Sequence, residues 1–187
     1  MPDLLSPQPQ RGGARAVLVA GFAEAAWLTP DGHVTALDPI QAARRALIEA
    51  PIVCHAPATF RKLKSQRAAV ADILELYAFV RPASFCLPTP RGIALAMGLP
   101  LGDHAPLGDQ ARVLAQAARA LLGELAATTS KRRRICGLAN LMAKAGWVWG
   151  PDVLKALEAG GPLSAQAGVA VWEDLPEWQD QAPEPAP

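Results

Sequence analysis

Residues 16–55, AVLVAGFAEAAWLTPDGHVTALDPIQAARRALIEAPIVCH, decide the fold. Three short apolar runs, at residues 16–20, 25–29 and 34–37, have the length and composition of strands. The order Pro-Asp-Gly within residues 29–33 is typical of a hairpin turn. The pattern therefore predicts three consecutive antiparallel strands.

A helix and a fourth strand follow the hairpin. Asp38 and Pro39 have the residue types of a helix N-cap and of a first helical position, so we expect a helix over residues 40–49. The apolar run at residues 51–55 predicts a buried strand, and a short helix is expected at 58–63. Because a helix separates this strand from the hairpin, we expect it to lie parallel to an earlier strand. The prediction is an α/β fold with a mixed sheet.

From Val70 onward the periodicity is helical. In the longest predicted helix, Val113, Leu114, Ala117, Leu121 and Leu125 form the inward face. Ser130 is the expected N-cap of the helix after it. Helices are predicted at residues 73–80, 89–98, 106–127, 130–144 and 152–158.

Several aromatic residues have a structural interpretation. Tyr77, Phe79 and Phe85 are expected in the core, and the Trp pair in Gly146-Trp-Val-Trp-Gly-Pro151 is expected to anchor the last helix. Trp172 and Trp178 are expected to pin the C-terminal segment in the same way.

Composition limits the function classes. The 187 residues are 51% hydrophobic and carry a formal charge of +1, which predicts a packed core and gives no global signature of nucleic-acid or membrane binding. Three scattered cysteines without a CxxC pair support neither a zinc knuckle nor a disulfide framework. No signal-peptide pattern or long apolar run is present, so we expect a cytoplasmic protein.

Three residues stand in an order that indicates a nuclease. Asp72 heads a predicted helix, and His104 precedes Asp109 by five positions after a small helix that ends in Met-Gly-Leu. These motifs, together with the strand order, resemble the ribonuclease H-like fold of the DEDDh (DnaQ-type) exonucleases. The resemblance implies four carboxylates around two divalent metal ions, with a histidine as general base. It assigns Asp72 and Asp109 to two of the acids and His104 to the base.

The earlier half departs from that family. The first strand contains no carboxylate and Glu24 is the only nearby acid, while HAPATFRKL at residues 55–63 keeps a His-Ala-Pro turn without an acid. Two acids cannot hold two Mg²⁺ ions, which give up water reluctantly. We therefore expect no catalytic residue and no metal in this chain, and we interpret Asp72, His104 and Asp109 as vestiges of a nuclease site. The alternative interpretation of Asp72 is a helix N-cap without any catalytic history.

A narrower resemblance covers residues 14–178. HAPATFRKL, the segment 72–100, WVWGP and VWEDLPEW resemble the N-terminal region of alphaproteobacterial DinG-type ATP-dependent DNA helicases. This implies a non-catalytic accessory domain that positions DNA or docks on a helicase motor in the same polypeptide. The chain has no GxxxxGK[ST], so ATP and Mg²⁺ would belong to the parent protein.

The expected organisation has four parts: a leader at residues 1–14, an exonuclease-like domain at 15–127, a helical extension packed on it at 128–178, and a Pro-rich linker toward the motor at 179–187.

One dense basic cluster is the candidate nucleic-acid contact. It consists of Lys131, Arg132, Arg133 and Arg134. One interpretation joins it with Lys62, Lys64 and Arg67 in a single phosphate-contacting patch. The alternative is that these residues form the solvent-exposed first turn of a helix and contact no nucleic acid.

Two other functions stay open. One is an active Mg²⁺- or Mn²⁺-dependent 3′–5′ exonuclease that uses Asp72, His104 and Asp109 with a displaced acid such as Glu24 or Asp103. The other is a protein-interaction domain without a DNA role.

Overall fold

A mixed sheet lies at the centre of the molecule. The structure is a computed structural model that describes residues 15–129 and 131–160. Within those residues the sheet has five strands in the order β3-β2-β1-β4-β5. The strands are β1 (Val17–Ala20), β2 (Ala25–Leu28), β3 (Val34–Leu37), β4 (Ile52–Val53) and β5 (Ala71–Asp72).

The hairpin and the crossover confirm the predicted pairing. Strand β1 pairs antiparallel with β2, and β2 antiparallel with β3, in a register that places Leu28 opposite Val34. Gly32 has φ 96°, a left-handed conformation that glycine adopts without steric cost, and its N–H donates to the Thr29 carbonyl at 3.0 Å. Strand β4 is parallel to β1, as the intervening helix requires.

The fifth strand was not predicted from the sequence, where the helical pattern was assigned from Val70 onward. Strand β5 contains only two residues and pairs parallel with β4, with Ile52 opposite Ala71. Such a short strand shows no alternation that could separate it from the helix that follows at Ile73. Strand β5 is defined by its pairing with β4, and this contact between distant residues has no local sequence signal.

Helices cover both faces of the sheet. On one face lie α1 (Pro39–Glu49) and α2 (Ala56–Lys62), which pack on Leu18 and Trp27. The other face carries the larger core, which includes Val17, Val19 and the buried side of the long helix α5. The helices that contribute to this core are α3 (Ile73–Val80), α4 (Pro90–Met97), α5 (Leu107–Ala127), α6 (Arg132–Lys144) and α7 (Gly150–Ala159).

Helix starts follow the predicted caps where the structure describes them. The Asp38 carboxylate accepts hydrogen bonds from the N–H groups of Ile40 and Gln41, each at 2.9 Å. Thr89 caps α4 by accepting from Gly92 N–H at 2.9 Å. A Cβ on Gly92 would lie 2.3 Å from the Leu87 carbonyl oxygen, so only glycine permits this packing. The predicted cap Ser130 lies outside the described residues.

The aromatic predictions are confirmed in part. Tyr77 is buried, Phe79 packs at the edge of the core, and the predicted inward face of α5 is buried throughout. Phe85 is 82% exposed, so its assignment to the core was wrong. It follows a turn in which Ala83 has φ 68° and Ser84 N–H donates to the Arg81 carbonyl, and this turn leaves the next residues in solvent.

The two ends of the described chain meet at the amino edge of the sheet. The Arg15 side chain is 7% exposed, pairs with Asp152 at 2.7 Å and donates to the carbonyls of Val148 and Ala50. This side chain ties the start of β1 to α7 and to the end of α1. No helix of the described residues is long and apolar enough to cross a membrane.

Candidate functional site

A cleft of about 200 Å³ opens at the carboxyl ends of the parallel strands β1 and β4. Ligands of open α/β sheets bind outside this edge, because the connections leave a crevice there. We call it the carboxyl-edge cleft. Its lining consists of Leu18, Val19, Ala20, Cys54, Ala58, Thr59, Lys62, Pro88, Thr89, Pro90 and Gln110.

The charged group of this cleft is a cation. Lys62, on the last turn of α2, donates from Nζ to the Ala20 carbonyl at 3.0 Å. Its ammonium lies 5.7 Å from the ring centroid of Phe22, which is 93% exposed on the loop after β1. No carboxylate belongs to the lining. The end of strand β1 therefore carries an ammonium beside an exposed aromatic ring.

Two helices start at the carboxyl-edge cleft. Thr89 and Pro90 are the cap and first residue of α4, and Gln110 lies in the first turn of α5. Helix N-termini have partial positive charge and unpaired N–H groups, so they favour anions. Together with Lys62 they make the cleft electropositive.

Asp72, the best match to the nuclease motif, is a structural residue. It is 5% exposed and its carboxylate accepts three backbone hydrogen bonds: from His55 N–H at 3.0 Å, Ala56 N–H at 2.6 Å and Leu74 N–H at 3.1 Å. It thus caps α3 and joins that helix to the start of α2. A buried carboxylate needs such partners, because leaving its charge unpaired costs several kcal/mol. The N-cap interpretation of Asp72 is confirmed.

Trp147 and Trp149 form hydrogen bonds with the same region, at the start of helix α3. Trp149 is 1% exposed and donates from Nε1 to the Asp72 carbonyl at 2.7 Å, while Trp147 donates to a Glu75 carboxylate oxygen at 3.1 Å. Partial burial and the nearby Asp72 charge raise the pKa of Glu75. The predicted anchoring of the last helix by these tryptophans is confirmed.

The histidine and the second acid lie in solvent-exposed positions. His104 and Asp109 are exposed, and Asp109 pairs with Arg112 at 2.8 Å on the same helix. It is the neighbouring Gln110, about a hundred degrees around the helix, that lines the cleft. The Asp109 carboxylate is thus directed to a surface ion pair.

The displaced acids do not replace the missing ones. Glu24 is exposed in the loop after β1, and Asp103 pairs with Arg91 at 2.5 Å on the surface. Neither lines the carboxyl-edge cleft.

The residues do not fit the pair of divalent metals that the nuclease resemblance implies. Such ions need several converging oxygen ligands, whereas the Asp72 oxygens are bonded to backbone N–H groups and the cleft holds the Lys62 ammonium. Among residues 15–129 and 131–160, no three or more His, Cys, Asp or Glu side chains are grouped so as to hold a metal ion.

Cys54 lies at the inner end of the carboxyl-edge cleft. Burial, with a further contribution from the Asp72 charge, raises the pKa of its thiol to about 12. The thiol is therefore protonated at neutral pH, and a protonated thiol is a poor nucleophile. Cys54 does not suit covalent catalysis.

The basic cluster lies elsewhere. Arg132 turns back and donates to the Gly160 carbonyl at the end of α7, while Lys131 and Arg133 are exposed. Arg67 lies beside Met142 and Gly146, at the opposite end of α6. A 13-residue helix is about 20 Å long, so the cluster and Arg67 do not form one compact patch.

The sequence did not indicate Lys62 as a cleft residue or Phe22 as its neighbour. Lys62 was considered only as a neighbour of the basic cluster, and Phe22 was not singled out. The pairing of Lys62 with Ala20 spans 42 positions, so no local pattern could show it. The signal that the sequence offered was a Phe two positions after the end of a predicted strand.

Comparison of the chain with protein-family models, with curated proteins and with solved structures finds no match.

Proposed function

We propose that this chain is a non-catalytic, ribonuclease H-like domain that binds single-stranded DNA at the carboxyl-edge cleft and accompanies a DinG-type helicase motor. The observation that carries the proposal is the Lys62 ammonium, at the end of the sheet where the nuclease resemblance implies metal ligands. This cation lies at the end of β1, beside an exposed Phe22, in a cleft without carboxylates.

The fold part of the proposal is supported by topology. The sheet combines an antiparallel β1-β2-β3 meander with two parallel strands, and β2 runs against the other four. Helix α1 makes the crossover and helices follow β5. This order agrees with the ribonuclease H-like resemblance stated from the sequence.

The DNA part is supported by the chemistry of the cleft. An aromatic face stacks on any base, and cations near it contact the phosphate backbone. Phe22 and Lys62 supply both groups within 5.7 Å of each other. Arg61, Lys64 and Arg67 are further exposed cations in and after α2, outside the lining of the cleft. A cleft of about 200 Å³ is too small for a duplex, which favours a single strand as the ligand.

The helicase part is supported by the sequence resemblance. It predicts that a Walker A motif, GxxxxGK[ST], is encoded downstream of Pro187 in the gene. A stop codon in its place would refute this part and leave DNA binding untouched.

Binding is tested with a fluorescently labelled oligothymidine strand and polarisation titration in EDTA. Phe22→Ala should weaken binding roughly tenfold, since stacking of one base contributes about 1–3 kcal/mol. Lys62→Glu should weaken it at least as much and should reduce its salt dependence.

Two controls keep the test specific. Phe22→Leu retains apolar surface without an aromatic face and should resemble Phe22→Ala. Arg44→Glu changes charge by the same amount as Lys62→Glu, on the outer side of α1, and should leave the affinity near wild type. Equal affinity of Lys62→Glu and wild type would refute the cleft as the binding site.

A protein-interaction domain is the second candidate, and one surface favours it. Ile40 and Leu47 lie on the outward side of α1 and are each 66% exposed. Large exposed apolar residues grouped on one helix are typical of protein contacts. A chain that binds no oligonucleotide at low salt would favour this candidate.

A further inference from the structure

A second concavity lies at the opposite edge of the sheet, between α5 and α7. Its volume is about 350 Å³, and we call it the α5–α7 groove. Ile52 and Trp149 lie at its base, where β4 begins. The apolar walls come from both helices: Ala115, Ala118 and Leu122 from α5, and Ala156 and Ala159 from α7.

Small side chains keep the groove open. Four of the five wall residues are alanines, so the two helices pack together without large side chains between them at this level. An open apolar concavity loses dispersion contacts along its walls and is stabilised when a side chain fills it. A large aromatic side chain fits the size and chemistry of this groove.

The rim of the groove is cationic. Arg119 and Lys155 line it, together with Arg15 and Asp152. Arg15 and Asp152 form a partly buried ion pair at 2.7 Å, so their charges compensate each other. The lining thus holds three cations, Arg15, Arg119 and Lys155, and one carboxylate, Asp152, and this net positive charge favours an anionic occupant.

The sequence contains such an occupant close by. The chain leaves α7 at Gly160, directly after Ala159 of the groove. Residues 161–187 contain five acidic residues, no Lys or Arg, and both Trp172 and Trp178. Trp172 is 12 positions beyond Gly160, and 12 residues can span about 40 Å, which is ample for a return to the groove.

We propose that the segment 172–178, WEDLPEW, binds in the α5–α7 groove of its own chain. The Trp172 indole fills the apolar concavity, and Glu173 and Asp174 face Arg119 and Lys155. This contact clamps the C-terminal segment to the amino edge of the sheet and sets the direction in which the chain departs from the domain. It is independent of DNA binding, which is proposed at the carboxyl edge.

Hydrogen exchange by mass spectrometry on the full chain tests the clamp. Amides in residues 173–178 should exchange slowly in the wild type. Trp172→Ala should accelerate their exchange roughly tenfold, as release of a tethered contact does. Arg119→Glu should have the same effect, and Arg44→Glu, the same change on α1, should have none.

A variant with the charges of both partners reversed completes the test. Glu173→Lys with Asp174→Lys in the Arg119→Glu background should restore slow exchange, because the pairing is reformed with opposite signs. Fast exchange of residues 173–178 in the wild type would overturn the proposal. So would slow exchange that Trp172→Ala and Arg119→Glu leave unchanged. Protection that grows as the protein is concentrated would assign the groove to a second copy and would also overturn it.

Discussion

Asp72 and the His104–Asp109 segment have matching roles in the sequence motif but opposite surroundings in the structure. The Asp72 carboxylate is buried and bonded to three backbone N–H groups from two helix starts. Asp109 is exposed and pairs with Arg112 on the surface. The order of chemical groups along a chain therefore does not ensure that they converge on one site.

The difference follows from the energetics of each carboxylate. A buried charge must be compensated in full, so Asp72 holds α2, α3 and β5 in one arrangement. A surface ion pair contributes about 0–1 kcal/mol, so Asp109 can change without consequence for the fold. The fold therefore depends on the Asp72 carboxylate and does not depend on the Asp109 carboxylate.

The largest effect is expected from removing the buried carboxylate. Asp72→Ala should lower the free energy of unfolding by about 3 kcal/mol, because three backbone donors lose a charged acceptor. Asp109→Ala should lower it by less than about 0.5 kcal/mol. Urea unfolding followed by circular dichroism measures both. Equal losses in the two variants would contradict the comparison.

A thiol beside Asp72 offers a second test. The Asp72 charge contributes to the raised pKa of Cys54, so Asp72→Asn should lower that pKa. The pH profile of native-state alkylation of Cys54 should then move to lower pH, whereas Asp109→Asn should not move it. An unchanged midpoint in Asp72→Asn would contradict the contribution of the Asp72 charge to the pKa of Cys54.

The same thiol predicts a pH dependence of stability. Its pKa rises from an ordinary 9.0 to about 12 on folding, so the folded state holds this proton more tightly. Its contribution to the free energy of unfolding is complete below pH 9.0 and falls as the pH rises toward 12. Cys54→Ala should flatten this decline, and Cys86→Ala should flatten it less, because Cys86 is less buried.

The smallest effect is expected from the basic cluster on α6. Arg132 bonds to Gly160, and the cluster lies far from Arg67. Arg133→Gln should reduce the salt slope of DNA binding by at most about one phosphate contact, less than Lys62→Glu does. A larger loss for Arg133→Gln than for Lys62→Glu would move the binding surface to α6.

Local chemistry made much of the fold predictable. Alternating or apolar runs, the Pro-Asp-Gly turn and the Asp38 and Thr89 caps each act within a few residues, and the structure has the expected elements there. Strand β5 was not predicted because two residues are too few to show the alternation of a strand. Phe85 was misplaced because its neighbours form a turn rather than a helix.

The candidate site was less predictable for a physical reason. Its features depend on hydrogen bonds between residues distant in sequence. Lys62 donates to the Ala20 carbonyl, and the Asp72 carboxylate accepts from the N–H groups of His55 and Ala56. The absence of acids from the first strand was visible in the sequence, but the cation that lies there was not. The order of the nuclease-like motifs along the chain therefore did not predict which chemical groups lie at the carboxyl-edge cleft.

The most direct test of a DNA-binding domain without catalysis follows binding and strand length together. The full chain is incubated with a 5′-labelled single strand and Mn²⁺, and complex formation and product length are recorded from the same samples. We predict a complex that Lys62→Glu weakens and a strand that keeps its full length. Stepwise shortening from the 3′ end, abolished by Asp109→Ala, would contradict the account.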